Sequence, residues 1–183
     1  DQIEDSMHMV EWKQIEAKWQ KRWAEAHAFD TDPDPEKPKF YLTVAYPYPN
    51  SPQHIGHGRT YTLTDVHARF QRMHGYNVLL PMAWHFTGTP LFAMVERLKE
   101  HDPSLLDTFL NLYNVPESKL LDLEDPVSMA TYFAMEIKHG MQRIGYSMDW
   151  RREFTTVDPI YSKFIEWQFA KLRQKGFITQ GSH

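Results

Sequence analysis

The 183 residues carry 24 acidic and 20 basic side chains, a net charge of −4, so no basic stripe advertises nucleic acid and any such contact would have to be local. The chain has no cysteine, which excludes disulfides and a Cys-ligated zinc site, and no apolar run approaches the roughly 18–20 residues that span a bilayer. With 42 % hydrophobic and 14 % aromatic residues there is ample material for a core, and a soluble, cytoplasmic chain of one domain, with or without an insertion, is the expectation.

Residues 1–8 (DQIEDSMH) read as a tag or cloning remnant, with Met9 as the native start. From Val10 to Phe29, Trp12, Ile15, Trp19 and Trp23 recur at three- and four-residue spacing with Lys, Gln and Glu between them. That period predicts an amphipathic helix clamped onto the core; an exposed aromatic recognition face is the alternative. Asp30 to Pro38 (DTDPDPEKP) is a Pro-rich charged linker, so residues 9–38 stand before a main body at 39–183.

The body opens with an apolar, β-branched run, Lys39 to Ala45, which predicts a strand. A turn broken by Pro47, Pro49 and Pro52 follows, then His54-Ile55-Gly56-His57, then a helix from about Gly58 to His74 stopped by Gly75. Thr60, Leu63, Val66, His67 and Phe70 give that helix its predicted inward stripe, with Arg59, Arg69 and Arg72 on other faces. Asn77 to Pro81 reads as a second strand. A helix between two such strands is a βαβ unit, hence a parallel sheet with a right-handed crossover. Met82 to Pro90 is then a second strand-to-helix loop. Because ligands of open α/β sheets sit outside the carboxyl ends of the strands, Ala45–Pro49 and Trp84–Thr89 are predicted to face one crevice.

Pro90 to His101 is predicted as a helix, with Pro suited to its first turn. Residues 102–126 break the alternation: two short helical pieces, Ser104–Tyr113 and Glu117–Leu123, cut by Pro116 and Pro126, read as a small helical insertion. Pro126 to Ile144 is a strong helix ended by Gly145, its methionines serving as core filler. Ser147 to Thr156 (SMDWRREFTT) is a charged loop. Asp158 is placed to cap a last helix running to about Lys175, and Phe177-Ile178-Thr179 reads as the start of another strand. The fold class is therefore α/β: a Rossmann-like parallel sheet flanked by helices.

The chemistry concentrates at the first strand-to-helix turn. Backbone N–H groups at a helix N-terminus are unpaired, and the helix dipole favours an anion there. His54 and His57, at i and i+3, share a face of the first turn; each can donate to a phosphate oxygen, and protonated imidazole offsets charge that develops in phosphoryl chemistry. Gly56 lacks a Cβ, so a nucleotide can approach the backbone. His67 and His74 raise a metal reading, but the nearest acid, Asp65, is two turns from His57, and no tetrahedral zinc site with an outer shell of support is visible; no metal ligands are assigned.

Four motifs in order, Tyr46-Pro47-Tyr48-Pro49-Asn50, His54-Ile55-Gly56-His57, Met82-Ala83-Trp84-His85-Phe86-Thr87-Gly88-Thr89-Pro90 and Ser147-Met148-Asp149-Trp150-Arg151, resemble the class I aminoacyl-tRNA synthetases, and most closely the leucyl-tRNA synthetases of the archaeal and eukaryotic-cytosolic branch. The resemblance runs from about Val10 to His183. It implies an enzyme that activates leucine with ATP, accompanied by Mg²⁺, to leucyl-adenylate and pyrophosphate, and then transfers leucyl to the 3′ end of tRNA(Leu). It implies that His54 and His57 hold the triphosphate and stabilise the transition state at the α-phosphate. Pro49, Asn50 and Gly56 would complete the ATP site, with Gly56 against the adenine, and Tyr46, Tyr48 and His85 would line the amino-acid pocket.

The sequence departs from the family in two ways. Many bacterial relatives carry Asp at the position of His85, where it meets the substrate ammonium. No Lys-Met-Ser-Lys-Ser-type loop, editing domain or anticodon-side helices occur in the 183 residues, so the resemblance implies the first half of a catalytic domain. Asp149, Trp150, Arg151 and Arg152 read either as salt-bridge anchors for the insertion or as contacts near the tRNA acceptor end. Two other functions compete: a small nucleotidyltransferase sharing His-x-Gly-His, against which stand the Tyr-Pro-Tyr-Pro turn and the unfinished sheet, and a catalytically inactive nucleotide-binding fragment whose sheet edge associates.

Overall fold

Parallel neighbours in a sheet need a crossover connection, and the helix between the first two strands supplies one. In the computed structural model, which describes residues 10–181, β1 (Lys39–Tyr41) runs parallel to β2 (Asn77–Leu79), with Phe40 opposite Val78. Leu42 N–H extends the ladder to the Leu79 carbonyl at 3.0 Å. A second parallel pair joins β3 (Ala83–Trp84) to β4 (Phe154–Thr155). The α/β class, with parallel strands flanked by helices, is thus present, as two short ladders. Residues 1–8, read as added, lie outside the described residues.

Six α-helices flank these strands among the described residues: α1 (Trp12–Glu25), α2 (Ile55–Met73), α3 (Thr89–Lys99), α4 (Pro103–Asp107), α5 (Pro126–Ile144) and α6 (Pro159–Gln174). Helix α5 follows its sequence closely. Asp125 accepts from Ser128 N at its start, Pro126 occupies the first turn, and Gly145 ends it at φ +86°. Its buried stripe of Met129, Ala130, Phe133, Ala134, Ile137 and Met141 is the spine of the core, together with Leu80, Met82, Leu91 and Val95 from the neighbouring elements. Between α4 and α5 the chain makes one π turn (Thr108–Leu112) and two 3₁₀ turns. Phe109 is buried there, edge-on to Phe133 at 5.5 Å, so this segment adds to the core rather than standing off it.

Helix α2 corrects the sequence reading. Its buried residues are Tyr61, Asp65 and Ala68, while the predicted inward Leu63, Val66 and Phe70 are exposed, Leu63 by 64 %. The reason is a polar knot. Asp65 accepts from the backbone N–H and the hydroxyl of fully buried Ser147, both at 2.6 Å, and from Arg69 Nε at 2.7 Å. Arg72 donates to the hydroxyl and the carbonyl of Ser147, and Arg69 also reaches the Gly145 carbonyl. The two arginines assigned to other faces therefore lie half-buried on the inner one.

Three further expectations are corrected. Helix α1 buries none of its residues; Trp12, Ile15 and Trp19 are exposed, and only its end is docked, through Trp23 against Gly145 and Gln20 Nε2 donating to the Arg143 carbonyl. Asp158 does not cap α6: its carboxylate turns back to accept from the backbone and hydroxyl of Thr155. Phe177 to Thr179 forms no strand. The Asp149–Arg152 cluster, for its part, anchors the N-terminal linker and not the insertion. Asp149 is fully buried and accepts from Thr31 N–H at 2.9 Å and from Arg151 Nη2 at 2.9 Å, and both arginines reach Asp32.

Two predictions follow from these buried carboxylates. Asp65→Asn loses charge-assisted hydrogen bonds in a buried site and should cost about 3 kcal/mol, read from urea unfolding; a change under about 0.5 kcal/mol would mean that the knot does not hold α2. Burial by itself raises the Asp149 carboxyl, but hydrogen bonds from Arg151 and Thr31, with the Arg151 charge, outweigh it and hold the group below the usual carboxylate range. The folded state then binds fewer protons than the unfolded one. Its contribution is complete above about pH 4 and is lost as pH falls through the lowered folded value, and Asp149→Asn should flatten that acid limb.

Candidate active site

Past β1 the chain runs through Thr43–Asn50 with its prolines inward. Pro47 and Pro49 are buried, Asn50 is half-buried, and Tyr48 projects. The second loop meets it directly. His85 N–H donates to the Pro47 carbonyl at 3.0 Å, and the His85 ring stacks on Tyr48 with centroids 4.2 Å apart and planes at 27°. Gly88 closes against the same tyrosine. Its φ of +123° and ψ of 155° belong to glycine, and a Cβ there would lie 2.9 Å from Tyr48 Cε1. The two loops predicted to share a crevice are therefore in contact. Tyr46 points elsewhere: its ring is edge-on to Phe154 of β4 at 5.5 Å, and its hydroxyl accepts from Thr43 at 3.0 Å. Burial pushes the Tyr46 phenol up, so it stays neutral across the physiological range.

The histidine turn differs in detail from the sequence reading, because His54 lies outside the helix as its N-cap and α2 begins at Ile55. His54 Nδ1 accepts from Gly56 N–H at 3.0 Å, and His57 Nδ1 accepts from His54 N–H at 3.4 Å, a reciprocal capping box built from two imidazoles. The rings lie 4.1 Å apart. These bonds occupy backbone donors that the sequence reading left free for an anion. They also fix the tautomers. A neutral imidazole whose Nδ1 accepts a hydrogen bond carries its proton on Nε2, so both side chains offer an Nε2–H donor. The missing Cβ of Gly56 serves this cap first, since a Cβ would lie 2.7 Å from His54 Cε1.

Burial, with the neighbouring His54, holds the His57 imidazolium below the ordinary histidine range, so His57 is neutral at pH 7. Next to His54 in the sequence, the Gln53 amide nitrogen is buried with no hydrogen-bond partner among the described residues, a third N–H whose pairing is open. Two imidazole N–H groups and an amide N–H suit an anion. They do not suit a cation, and among the described residues no group of three or more His, Asp or Glu is placed to hold a metal ion.

A strand-end turn, a His-x-Gly-His cap and a stacked Tyr48–His85 pair on adjacent loops form one constellation, and the family pattern described as "tRNA synthetases class I (I, L, M and V)" matches residues 18–183. The chain belongs to this family. Within it, the chain is 54 % identical to leucine–tRNA ligase 2 of Sulfolobus acidocaldarius over 169 residues, which is 92 % of this chain and 18 % of that protein. It is 50 % identical to the leucine–tRNA ligase of Pyrococcus furiosus over 181 residues, 97 % of this chain and 19 % of that protein. Among solved structures, the agnB2 LeuRS of Agrobacterium radiobacter K84, in a ternary complex with tRNA and LeuAMS, superposes with a TM-score of 0.70 at 27 % identity, covering 92 % of this chain and 19 % of that one. This class I synthetase chain thus spans under a fifth of the length of these relatives.

The structure brings Tyr48 and His85 together, and likewise His54, Gly56 and His57; Pro49 and Asn50 lie on the loop between the two groups. Sequence reasoning missed Gln53 and Tyr61. Gln53 gives no signal beyond its place before His54, but Tyr61, one turn after His57, could have been found from its spacing.

The cap is testable in the isolated chain. Long-range ¹H–¹⁵N spectra at pH 8 should show His54 and His57 as Nε2–H tautomers, and an Nδ1–H tautomer in either would contradict the geometry. Gly56→Ala should expel the His54 ring and cost about 1 kcal/mol in urea unfolding, the worth of one helix cap.

Proposed function

We propose that this chain is the ATP- and leucine-binding part of a leucine–tRNA ligase, an aminoacyl-tRNA synthetase acting in the cytoplasm. In this reading residues 9–38 brace the first half of the catalytic domain at 39–183, with 102–126 as its insertion. The observation that carries it is the reciprocal His54–His57 cap, four residues after Asn50 on the loop whose Tyr48 stacks on His85. The choice of leucine rests on the relatives, whose names are those of leucine–tRNA ligases. The names also favour a synthetase over a small nucleotidyltransferase.

The chemistry asks little covalent work of the protein. The leucine carboxylate is already a nucleophile at neutral pH. One of its oxygens attacks the α-phosphorus of ATP, and the bond from that phosphorus to the bridging oxygen breaks, its electron pair leaving on pyrophosphate. A hydroxyl at the tRNA(Leu) 3′ end then displaces AMP from the leucyl group. No general base from the protein is needed in the first step; positioning and charge stabilisation carry it. His54 and His57 donate from Nε2 to phosphate oxygens, and Gln53 supplies a further N–H, with Pro49, Asn50 and Gly56 shaping the nucleotide's approach. Tyr48 lines the amino-acid side, while Tyr46 packs against Phe154. A ring nitrogen of His85 can accept from the leucine ammonium, in the place of a carboxylate. Mg²⁺ bound to ATP would offset the charge of its phosphates.

The test is amino-acid-dependent ATP–pyrophosphate exchange across the twenty amino acids. Leucine-selective exchange is expected, and His54→Ala and His57→Ala should each slow it about 10²–10³-fold, the effect of losing one transition-state donor. Unchanged rates in an active protein would remove the histidines from the mechanism. Nucleotide exchange that ignores amino acids would favour a nucleotidyltransferase, and exchange by no form of the protein a nucleotide-binding fragment. His85→Asp should change leucine affinity at least fivefold more than ATP affinity; equal effects would make His85 part of the loop's architecture only.

A further inference from the structure

We infer that Tyr61 is a positioning residue that locks the histidine turn to the strand end carrying the amino-acid site, and so sets the register between the two substrates; the inference rests on the function proposed above. Tyr61 sits four residues after His57 on the same face of α2, 2 % exposed, its ring nearly parallel to the His57 ring at 13° with centroids 6.4 Å apart. Its hydroxyl donates to the Ala45 carbonyl at 3.1 Å. Ala45 is the residue before Tyr46, and two residues later the Pro47 carbonyl is held by His85 N–H. Among the described residues the Tyr61–Ala45 bond is the one hydrogen bond between α2 and the segment Ala45–Asn50. The donors at the start of α2 and the amino-acid contacts on Tyr48 and His85 are otherwise joined only by the short run Ser51–Gln53 and by packing.

The bond is well made for this task. Burial, and to a smaller degree Tyr146, pushes the Tyr61 phenol far above its ordinary range, so the hydroxyl is a donor at every working pH. The tyrosine below it is separately engaged: Tyr146 donates to the Gly58 carbonyl at 3.0 Å and lies 2.9 Å from the Thr62 hydroxyl. A reaction between two separately bound molecules needs the attacking oxygen within about 3–3.5 Å of phosphorus, and a misplacement of about 1 Å costs on the order of 10²-fold. Loosening the Tyr61 bond leaves each substrate's own contacts intact while relaxing the distance between them. Its signature is therefore in turnover and not in affinity.

The experiment is Tyr61→Phe in the full-length protein that carries this chain, read by leucine-dependent exchange with both substrates varied. The kcat should fall at least about tenfold, with KM for leucine and for ATP each within about twofold of wild type. The control is Thr31→Val, which also deletes one hydroxyl bond to a strand carbonyl, that of Val78 at 2.7 Å. It should lower Tm comparably and leave kcat within twofold. A Tyr61→Phe enzyme with wild-type kcat, or a Thr31→Val enzyme that loses as much, would overturn the inference while leaving the proposed function standing. A wild-type protein with no leucine-dependent exchange would overturn the proposed function, and this inference with it.

Discussion

A single buried carboxylate decides where α2 lies, and the site is referred to α2. Asp65 spends its acceptor capacity on Ser147 and Arg69, and Ser147 in turn accepts from Arg72. Breaking any one of these bonds strands a charge or a backbone N–H away from water, so the rotation of α2 is specified far more sharply than an apolar contact would specify it. The knot gains little net stability over well-packed hydrocarbon, because desolvation of the ions offsets most of their attraction. What it supplies is register: with α2 fixed about its axis, His57 and Tyr61 have one direction in which to point.

The same knot explains why the sequence was legible at the motifs and misleading along the helix. The Pro-broken turn, the His-x-Gly-His segment and the Trp-His-Phe-Thr-Gly-Thr-Pro loop carry their chemistry locally, and parallel pairing of β1 with β2 follows from one helix between two apolar runs. Which face of α2 is buried depends on Ser147, some eighty residues away, and a hydrophobicity pattern cannot see a partner that turns Asp, Arg and Tyr into interior residues. Strands β3 and β4 were missed for another reason. Each has two residues, too few for a period-two signal, and β4 lies inside a charged run. The reversed carboxylate of Asp158 shows that a capping residue type in the right place does not fix which backbone N–H it serves.

Apolar residues displaced from the interior by polar ones remain on the surface in groups. Leu63, Val66 and Phe70 line one side of α2, and Ile160, Phe164, Trp167 and Phe169 are exposed on α6, which buries none of its residues. Complete monomers seldom leave such patches open. The core built around α5 is closed by contrast, and it includes Trp84 and Phe86, which flank His85. The loop that presents His85 is thus rooted in a finished interior even though neighbouring faces of the fold are open.

The capping box changes what kind of anion site this is. A bare helix N-terminus presents backbone N–H groups directly, with the dipole behind them. Here Gly56 N–H and His54 N–H donate into imidazole Nδ1 atoms, and the rings carry the donor function outward to Nε2. A ring that accepts at one nitrogen is a better acceptor when its other N–H donates to an anion, so the chain backbone–imidazole–phosphate strengthens along its length. It also places the donors at the ends of side chains, farther from the helix axis than bare backbone N–H groups. His57 is held neutral by burial and by His54, so its ring offers a dipole and not a fixed cation.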